Sequence, residues 1–284
     1  MSVKAQRLSH DFQNTSLSEA LIWIDNAQDN YKLNFIFDEL EDFTVTTQLK
    51  NVSVRDAVRQ VCGFYPMHLT FDAQDIYIEC VQKSDTKLTG RIINESGQPV
   101  AYASITLLSL GDSTFLTGGV SNEAGDFVIP CKEPKVIARI SYVGYKTVYK
   151  TCTQPEVGTI RLHPDNYALK GVTVKGHVPQ YQMGSEGLVT NVENTPLSQL
   201  GTAGDVLKHV PGIIAKDDQY EVFGKGTPLI YINGRKMRNL KELEQLKSTN
   251  IKHIELITNP GAKYDATVGA VVKIQTVRKA GDGF

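Results

Sequence analysis

The chain has 284 residues, 41% of them apolar and 21% charged, with 30 Lys and Arg against 31 Asp and Glu for a net charge of −1. Such values belong to an ordinary globular chain of roughly two domains, or three small ones. They exclude a strongly basic nucleic-acid binder and a long acidic tail, so no nucleic-acid partner is expected.

No apolar run approaches the ~18–20 residues that a membrane-spanning helix needs. Met1–Arg7 lacks the apolar core of a secretory signal, which leaves a cytosolic protein or one whose leader gave way to a start Met. Cys62, Cys80, Cys131 and Cys152 form no CxxC pair, and no His stands at zinc-site spacing from them. They read as buried small apolar residues, or as one or two disulfides made in an oxidising compartment.

Residues 1–82 repeat themselves. Asn14-Thr15-Ser16-Leu17-Ser18-Glu19-Ala20-Leu21 matches Asn51-Val52-Ser53-Val54-Arg55-Asp56-Ala57-Val58, and Tyr31–Asp38 matches Tyr65–Asp72. In each copy a Ser caps a helix, with an acid three residues on, Glu19 or Asp56, reaching back to it. Apolar residues follow at helical spacing: Leu17, Ala20, Leu21 and Ile24, then Val54, Ala57, Val58 and Val61. A strand follows each helix, Ile76–Cys80 closes the unit, and the two copies are expected to share one sheet. Pairing of Met67–Phe71 with Ile76–Cys80 would bring Cys80 near Met67 and the helix end that carries Cys62. A Cys62–Cys80 disulfide is therefore a candidate.

This segment resembles the secretin and TonB N-terminal short domain (STN). The resemblance implies a periplasmic module at the front of an outer-membrane channel or receptor. In receptors it contacts a FecR-like anti-sigma factor.

After Lys83-Ser84-Asp85 the pattern is of short strands only, at Leu88–Ile93, Ala103–Leu108, Phe115–Val120, Phe127–Pro130, Val136–Val143, Thr147–Thr151 and Gly158–Leu162. Turn residues separate them, among them Asn94–Gly97 and Asn122–Gly125. Seven strands in this length predict a β-sandwich over 86–164. The phrases Gly97-Gln98-Pro99-Val100-Ala101-Tyr102-Ala103, Asn122–Phe127 and Ile140–Tyr145 resemble the carboxypeptidase-regulatory-like domain. That is a transthyretin-like sandwich, not a peptidase, which precedes the plug in many Bacteroidetes receptors. Tyr142 and Tyr145 read as packing residues.

Residues 165–180 form a short β-prone linker. Such a segment can add a strand to a partner's sheet, or simply tether two domains. In the receptor family the TonB box lies here, commonly as Leu-x-Glu-Val-Val-Val-Thr-Gly. Leu169, Val172, Val174 and Gly176 are in register with it, while Gly171, Thr173 and Lys175 depart from it. The candidate partner-binding set is thus Leu169, Gly171, Val172, Thr173, Val174 and Lys175.

Residues 181–277 open on Asn194-Thr195-Pro196-Leu197 and a helix at Ala203–His209, capped by Thr202 with Asp205 at the third position. Strands are expected at Ile213–Ala215, Tyr220–Phe223 and Leu229–Ile232. The dipeptide Asn233-Gly234 predicts a hairpin, since a type I′ turn needs positive φ at both central residues. A helix at Asn239–Lys247 and strands at Ile251–Ile257 and Val268–Thr276 complete the segment, with Asn259-Pro260-Gly261 as the stop between those strands. Ala203–Ile213, Leu229–Arg235 and above all Ile251–Ala266 with Gly269–Thr276 resemble the plug of TonB-dependent receptors. The chain departs from many transporters at Val222-Phe223-Gly224, where they carry Val-Arg-Gly, and in its short loop at Gly224–Pro228.

Other chemistry is poorly represented. Gly224-Lys225-Gly226-Thr227 lacks the spacing of a phosphate-binding loop. Arg235, Lys236 and Arg238 read as a solvated basic cluster. The six His residues are dispersed, and only His253 and Glu255 share a strand face, as a polar pair. The chain is expected to be no enzyme and to hold no cofactor.

The expected fold class is multi-domain α+β: a small repeated helix–strand STN domain (1–82), a seven-stranded transthyretin-like β-sandwich (86–164), a linker (165–180) and an α/β plug domain (181–277). The resemblance implies the periplasmic and plug portion of a TonB-dependent receptor on the periplasmic side of the outer membrane. Its partners would be TonB, a FecR-like anti-sigma factor and a C-terminal β-barrel. About 22 strands of ~9–11 residues cannot fit after Thr276, so a soluble fragment of a longer receptor is expected. A free-standing adaptor making only protein contacts is the alternative.

Overall fold

The computed structural model describes residues 6–165, 179–184, 186–216, 219–260, 264–265 and 267–277. It is mostly β, with 46% strand and 16% helix. The chain divides into two compact units, residues 1–142 with 146–163 and residues 143–145 with 164–284. No described helix is long and apolar enough to cross a membrane.

In the first unit the repeat becomes strand–helix–strand twice over. The first copy is β1 (Arg7–Ser16), α1 (Leu17–Asn26) and β2 (Lys32–Asn34), followed by a single turn, α2 (Phe37–Leu40). The second is β3 (Thr44–Ser53), α3 (Val54–Cys62) and β4 (Met67–Asp72), closed by β5 (Asp75–Cys80). The copies share two sheets rather than the expected one: β1 pairs with β3, and β5 stands between β2 and β4.

The physical cause is the strand before each helix, whose alternation is broken by a bulge. Asn14 (φ 49°) and Asn51 (φ 51°) take left-handed backbone, which Asn tolerates better than most residues. The Asn14 amide donates to Thr46 Oγ1 at 3.0 Å and the Asn51 amide to Ser9 Oγ at 2.9 Å. Each irregularity is thus held by a hydroxyl of the opposite strand.

Both caps form. Ser16 and Glu19 make a reciprocal capping box. Ser53 Oγ accepts from the Asp56 amide at 3.2 Å and donates to Asp56 Oδ2 at 2.6 Å. The shorter Asp side chain therefore meets the cap hydroxyl, where Glu19 meets the cap amide. Leu17, Ala20, Leu21 and Ile24 of α1 and Val54, Ala57, Val58 and Val61 of α3 are buried in one apolar cluster with residues of both sheets.

The sandwich consists of β6 (Lys87–Ile93), β7 (Ser104–Ser109), β8 (Phe115–Val120), β9 (Asp126–Pro130), β10 (Val136–Ser141), β11 (Val148–Cys152) and β12 (Glu156–Arg161). Its sheets run β11-β10-β7-β8 and β12-β6-β9, with β12 parallel to β6. All seven strands fall close to their expected ranges. Val128 of β9 belongs to the same apolar cluster as α1 and α3, so the sandwich and the helix–strand layer share part of a core.

In the second unit the strands are β13 (Tyr181–Met183), β14 (Leu188–Asn191), β15 (Ile213–Lys216), β16 (Gln219–Val222), β17 (Leu229–Ile232), β18 (Arg235–Lys236), β19 (Ile251–Ile257) and β20 (Val271–Thr276). The helices are α4 (Ala203–Leu207) and α5 (Lys241–Gln245). A six-stranded mixed sheet runs β13-β14-β19-β20-β17-β18, and β15 and β16 pair separately. β17 and β20 are parallel, whereas β19 and β20 are antiparallel.

Asn233 (φ 49°) and Gly234 (φ 80°) form the two-residue turn between β17 and β18, as their sequence predicts. Thr202 and Asp205 make the expected capping box. α5 is shorter than the expected Asn239–Lys247, with no side-chain cap at its start. The last strand begins at Val271 rather than Val268, because the Val268 amide turns back to the Asp265 carbonyl at 3.0 Å.

Candidate functional site

The linker residues Leu169, Gly171, Val172, Thr173, Val174 and Lys175 lie outside the described residues. In the described part, β4 and β5 pair so that Met67 faces Cys80, as the hairpin reading requires. All four cysteines are buried thiols, however, and the Cys62–Cys80 bridge is absent from the structure. The Cys80 thiol turns to the Gln82 carbonyl at 3.5 Å, and burial raises its pKa.

What the first unit does bring together is a polar joint between the helix–strand layer and the sandwich. The turn at Asn122–Gly125 supplies one side. Asn122 Oδ1 accepts from the amides of Ala124 and Asp126 at 2.9 and 3.0 Å, which frees its Nδ2 to donate to the Thr44 carbonyl at 3.1 Å. That carbonyl also accepts from the Tyr65 hydroxyl. Burial pushes the Tyr65 pKa up to about 12.

Glu123 Oε1 accepts from Tyr102 Oη at 3.0 Å and from Thr47 Oγ1 at 3.3 Å, and Thr47 in turn accepts from Gln60 Nε2 at 3.0 Å. Burial first, then the neighbouring Glu123 carboxylate, raises the Tyr102 pKa and keeps the phenol protonated. Tyr102 has φ 63°, which for a bulky residue is held only by surrounding contacts. Its ring lies 6.4 Å from that of Phe64.

On another side of the joint, Lys87 pairs with Asp42 and stands 5.3 Å over the Phe43 ring, and Lys83 pairs with Glu39 at 2.8 Å. An open polar cleft of about 540 Å³ is lined here by Asp38, Glu39, Cys80, Lys83, Lys87 and Lys132, among others. Its lysines and carboxylates largely neutralise one another. The joint holds the helix–strand layer and the sandwich together.

Replacing Glu123 by alanine should cost about 1 kcal/mol, because the Tyr102 hydroxyl loses its protein acceptor. A urea-denaturation double-mutant cycle of Glu123→Ala with Tyr102→Phe measures the coupling. Strict additivity would show that the hydrogen bond contributes nothing.

The second unit presents a row across its six-stranded sheet in which Glu255, Lys273 and Tyr231 stand side by side, with the apolar Val189 beyond Glu255. Lys273 pairs with Glu186 and lies 3.4 Å from Glu255. Burial disfavours its charge, but the two carboxylates outweigh burial and raise its pKa. His253 stands opposite Asn191 and Gln275 on β19, and burial together with Lys252 lowers its pKa. Glu255 is engaged by Lys273, so His253 and Glu255 are two polar members of one sheet face. In the basic cluster, Arg235 pairs with Glu242, which also accepts the Arg238 amide at 2.8 Å. No group of three His, Cys, Asp or Glu among the described residues could hold a metal.

No protein-family model matches the chain. No curated protein matches it either. Among solved structures, it is similar to the ferripyoverdine receptor of the outer membrane of Pseudomonas aeruginosa, at 14% identity and a TM-score of 0.24, over 96% of this chain and 28% of that one. It is also similar to 3-chlorocatechol 1,2-dioxygenase from Rhodococcus opacus 1CP, at 13% identity and a TM-score of 0.22, over 31% of this chain and 62% of that one. A third, a 9R-lipoxygenase from Cyanothece, has 16% identity and a TM-score of 0.22, over 33% of this chain and 18% of that one. Likenesses this low transfer neither fold nor function.

The sequence marks Asn122–Gly125 as a turn but carries no sign of the Thr44, Thr47 and Tyr102 contacts made there. Those partners are up to 78 residues away. The one available signal was the density of hydrogen-bonding side chains in Asn122-Glu123, which a solvent-exposed turn does not require.

Proposed function

We propose that this chain is the periplasmic and plug portion of a TonB-dependent outer-membrane receptor, and that it works without catalysis. The observation that carries this reading is the order of sequence resemblances along the chain. A doubled helix–strand module, a sandwich, a β-prone linker and a plug-like segment follow one another as they do in that family. The pairing of β19 with β20 and the Asn233-Gly234 hairpin beside β20 are the arrangement a plug-like segment calls for.

In this reading the second unit fills the lumen of a β-barrel belonging to the same receptor. Ligand arriving from outside shifts it, and residues 169–176 become available to TonB, whose sheet gains them as an added strand. The helix–strand module reports occupancy to a FecR-like anti-sigma factor in the periplasm.

Disulfide trapping tests the central step. Single variants Val172→Cys and Val174→Cys in the chain should each cross-link to a TonB C-terminal domain carrying one cysteine on its sheet edge. Serine variants of the four native cysteines provide the background. Failure of both variants to cross-link, in chains with an unchanged circular-dichroism spectrum, would refute TonB contact. Calorimetry with a FecR-like periplasmic domain tests the signalling half separately.

A further inference from the structure

Arg55 lies in the first turn of α3, and its guanidinium stands 5.2 Å over the Tyr31 ring and 5.5 Å over the Phe71 ring. One turn on, Arg59 stands 4.7 Å over the same Phe71 ring. The two arginines differ in one respect. Arg59 pairs with Asp56 at 3.0 Å. Arg55 makes no hydrogen bond or ion pair among the described residues, and its Nε is buried without a partner. All four side chains are half-buried, so the cluster reaches solvent.

An arginine placed between two rings has lost most of its rotamer freedom before any ligand arrives. Its planar fork matches a carboxylate in bidentate geometry. Tyr, Phe and Arg together are also the side chains enriched where protein interfaces hold most of their binding energy. Among the described residues neither Asp72 nor Asp75 of the β4–β5 turn forms an ion pair with Arg55, and Asp75 accepts from Asn34 Nδ2 at 3.0 Å.

We propose that Arg55, set by Tyr31 and Phe71, is a preformed seat for an Asp or Glu side chain of a partner protein. The proposal rests on the reading above only in that the helix–strand module docks a protein. Its test involves neither TonB nor a barrel, so either can fail alone.

The probe is an N-acetylated, C-terminally amidated tetraglutamate peptide, titrated into the ¹⁵N-labelled chain and followed at the arginine side-chain Nε–H signals. The Arg55 signal should move and saturate, with no response to tetraglutamine. Arg55→Lys keeps the charge but lacks the fork, and should weaken binding at least about tenfold. Phe71→Leu keeps the apolar packing but removes the ring, and should also weaken it. Both variants are compared at unchanged melting midpoints. Affinity in both variants equal to that of the unsubstituted chain, or shifts spread evenly over the surface lysines, overturns the proposal.

Discussion

Gly125→Ala is expected to lower the stability of the first unit by about 2–5 kcal/mol. Gly125 has φ 79°, where a side chain costs about 1–2 kcal/mol. A Cβ there would also stand 2.4 Å from the Ile92 carbonyl oxygen. That oxygen belongs to a β6 residue whose amide donates to the Gly125 carbonyl at 2.8 Å, so neither partner can withdraw without losing the other bond. Forcing backbone apart in a packed region costs about 1–3 kcal/mol more.

Gly97 is the internal control. It has the same φ of 79°, but nothing lies within 4 Å of its Cβ position. Gly97→Ala should therefore show the conformational cost alone. Equal losses for the two variants in a denaturation experiment would mean that the close approach at Gly125 is not a constraint. The Gly125 variant should further loosen the Asn122 and Glu123 contacts to Thr44 and Thr47, read as faster amide exchange along β3.

Leu256→Ala should cost the second unit about 2–5 kcal/mol. Leu256 is fully buried on β19, between Leu188 of β14 and Val272 of β20. Removing its side chain leaves a void among three strands whose backbones are locked by ladders on both sides, so the site can collapse only partly. Hydrogen exchange resolved by residue checks this. Protection should fall across β14, β19 and β20 and stay unchanged in β1–β5. Undiminished protection in β19 would show that the sheet does not depend on this contact.

Local chemistry was the most legible part of the sequence. The caps at Ser16, Ser53 and Thr202 and the Asn233-Gly234 turn each depend on residues within a few positions of one another. The sandwich strands were legible for the same reason, since alternation and turn residues are local. β1 and β3 were not, because bulges at Asn14 and Asn51 interrupt the period that would reveal them. The length of α5 was overread, since Asn239–Lys247 has helical composition but no cap to hold its start. The joint around Tyr102, Asn122 and Glu123 joins residues distant in the chain, and no periodicity encodes it. Arg55 was visible only as one match in a repeat. Its lack of an anionic partner is a property of the folded surroundings. The proposed TonB-contacting residues were read from a family pattern.

The reciprocal bulges of β1 and β3 have a consequence for solubility. These ten-residue strands form a ladder only with each other among the described residues, and side chains take up part of the outer side of β3, where the Thr44 carbonyl accepts from Asn122 and Tyr65 and the Gln48 carbonyl from Gln60. Long, regular strand edges recruit further strands from other molecules. A bulge bends and twists a strand and breaks its even spacing of donors and acceptors. The bulges at Asn14 and Asn51 therefore make each strand of the ribbon a poorer template for edge-to-edge pairing than a regular strand of the same length.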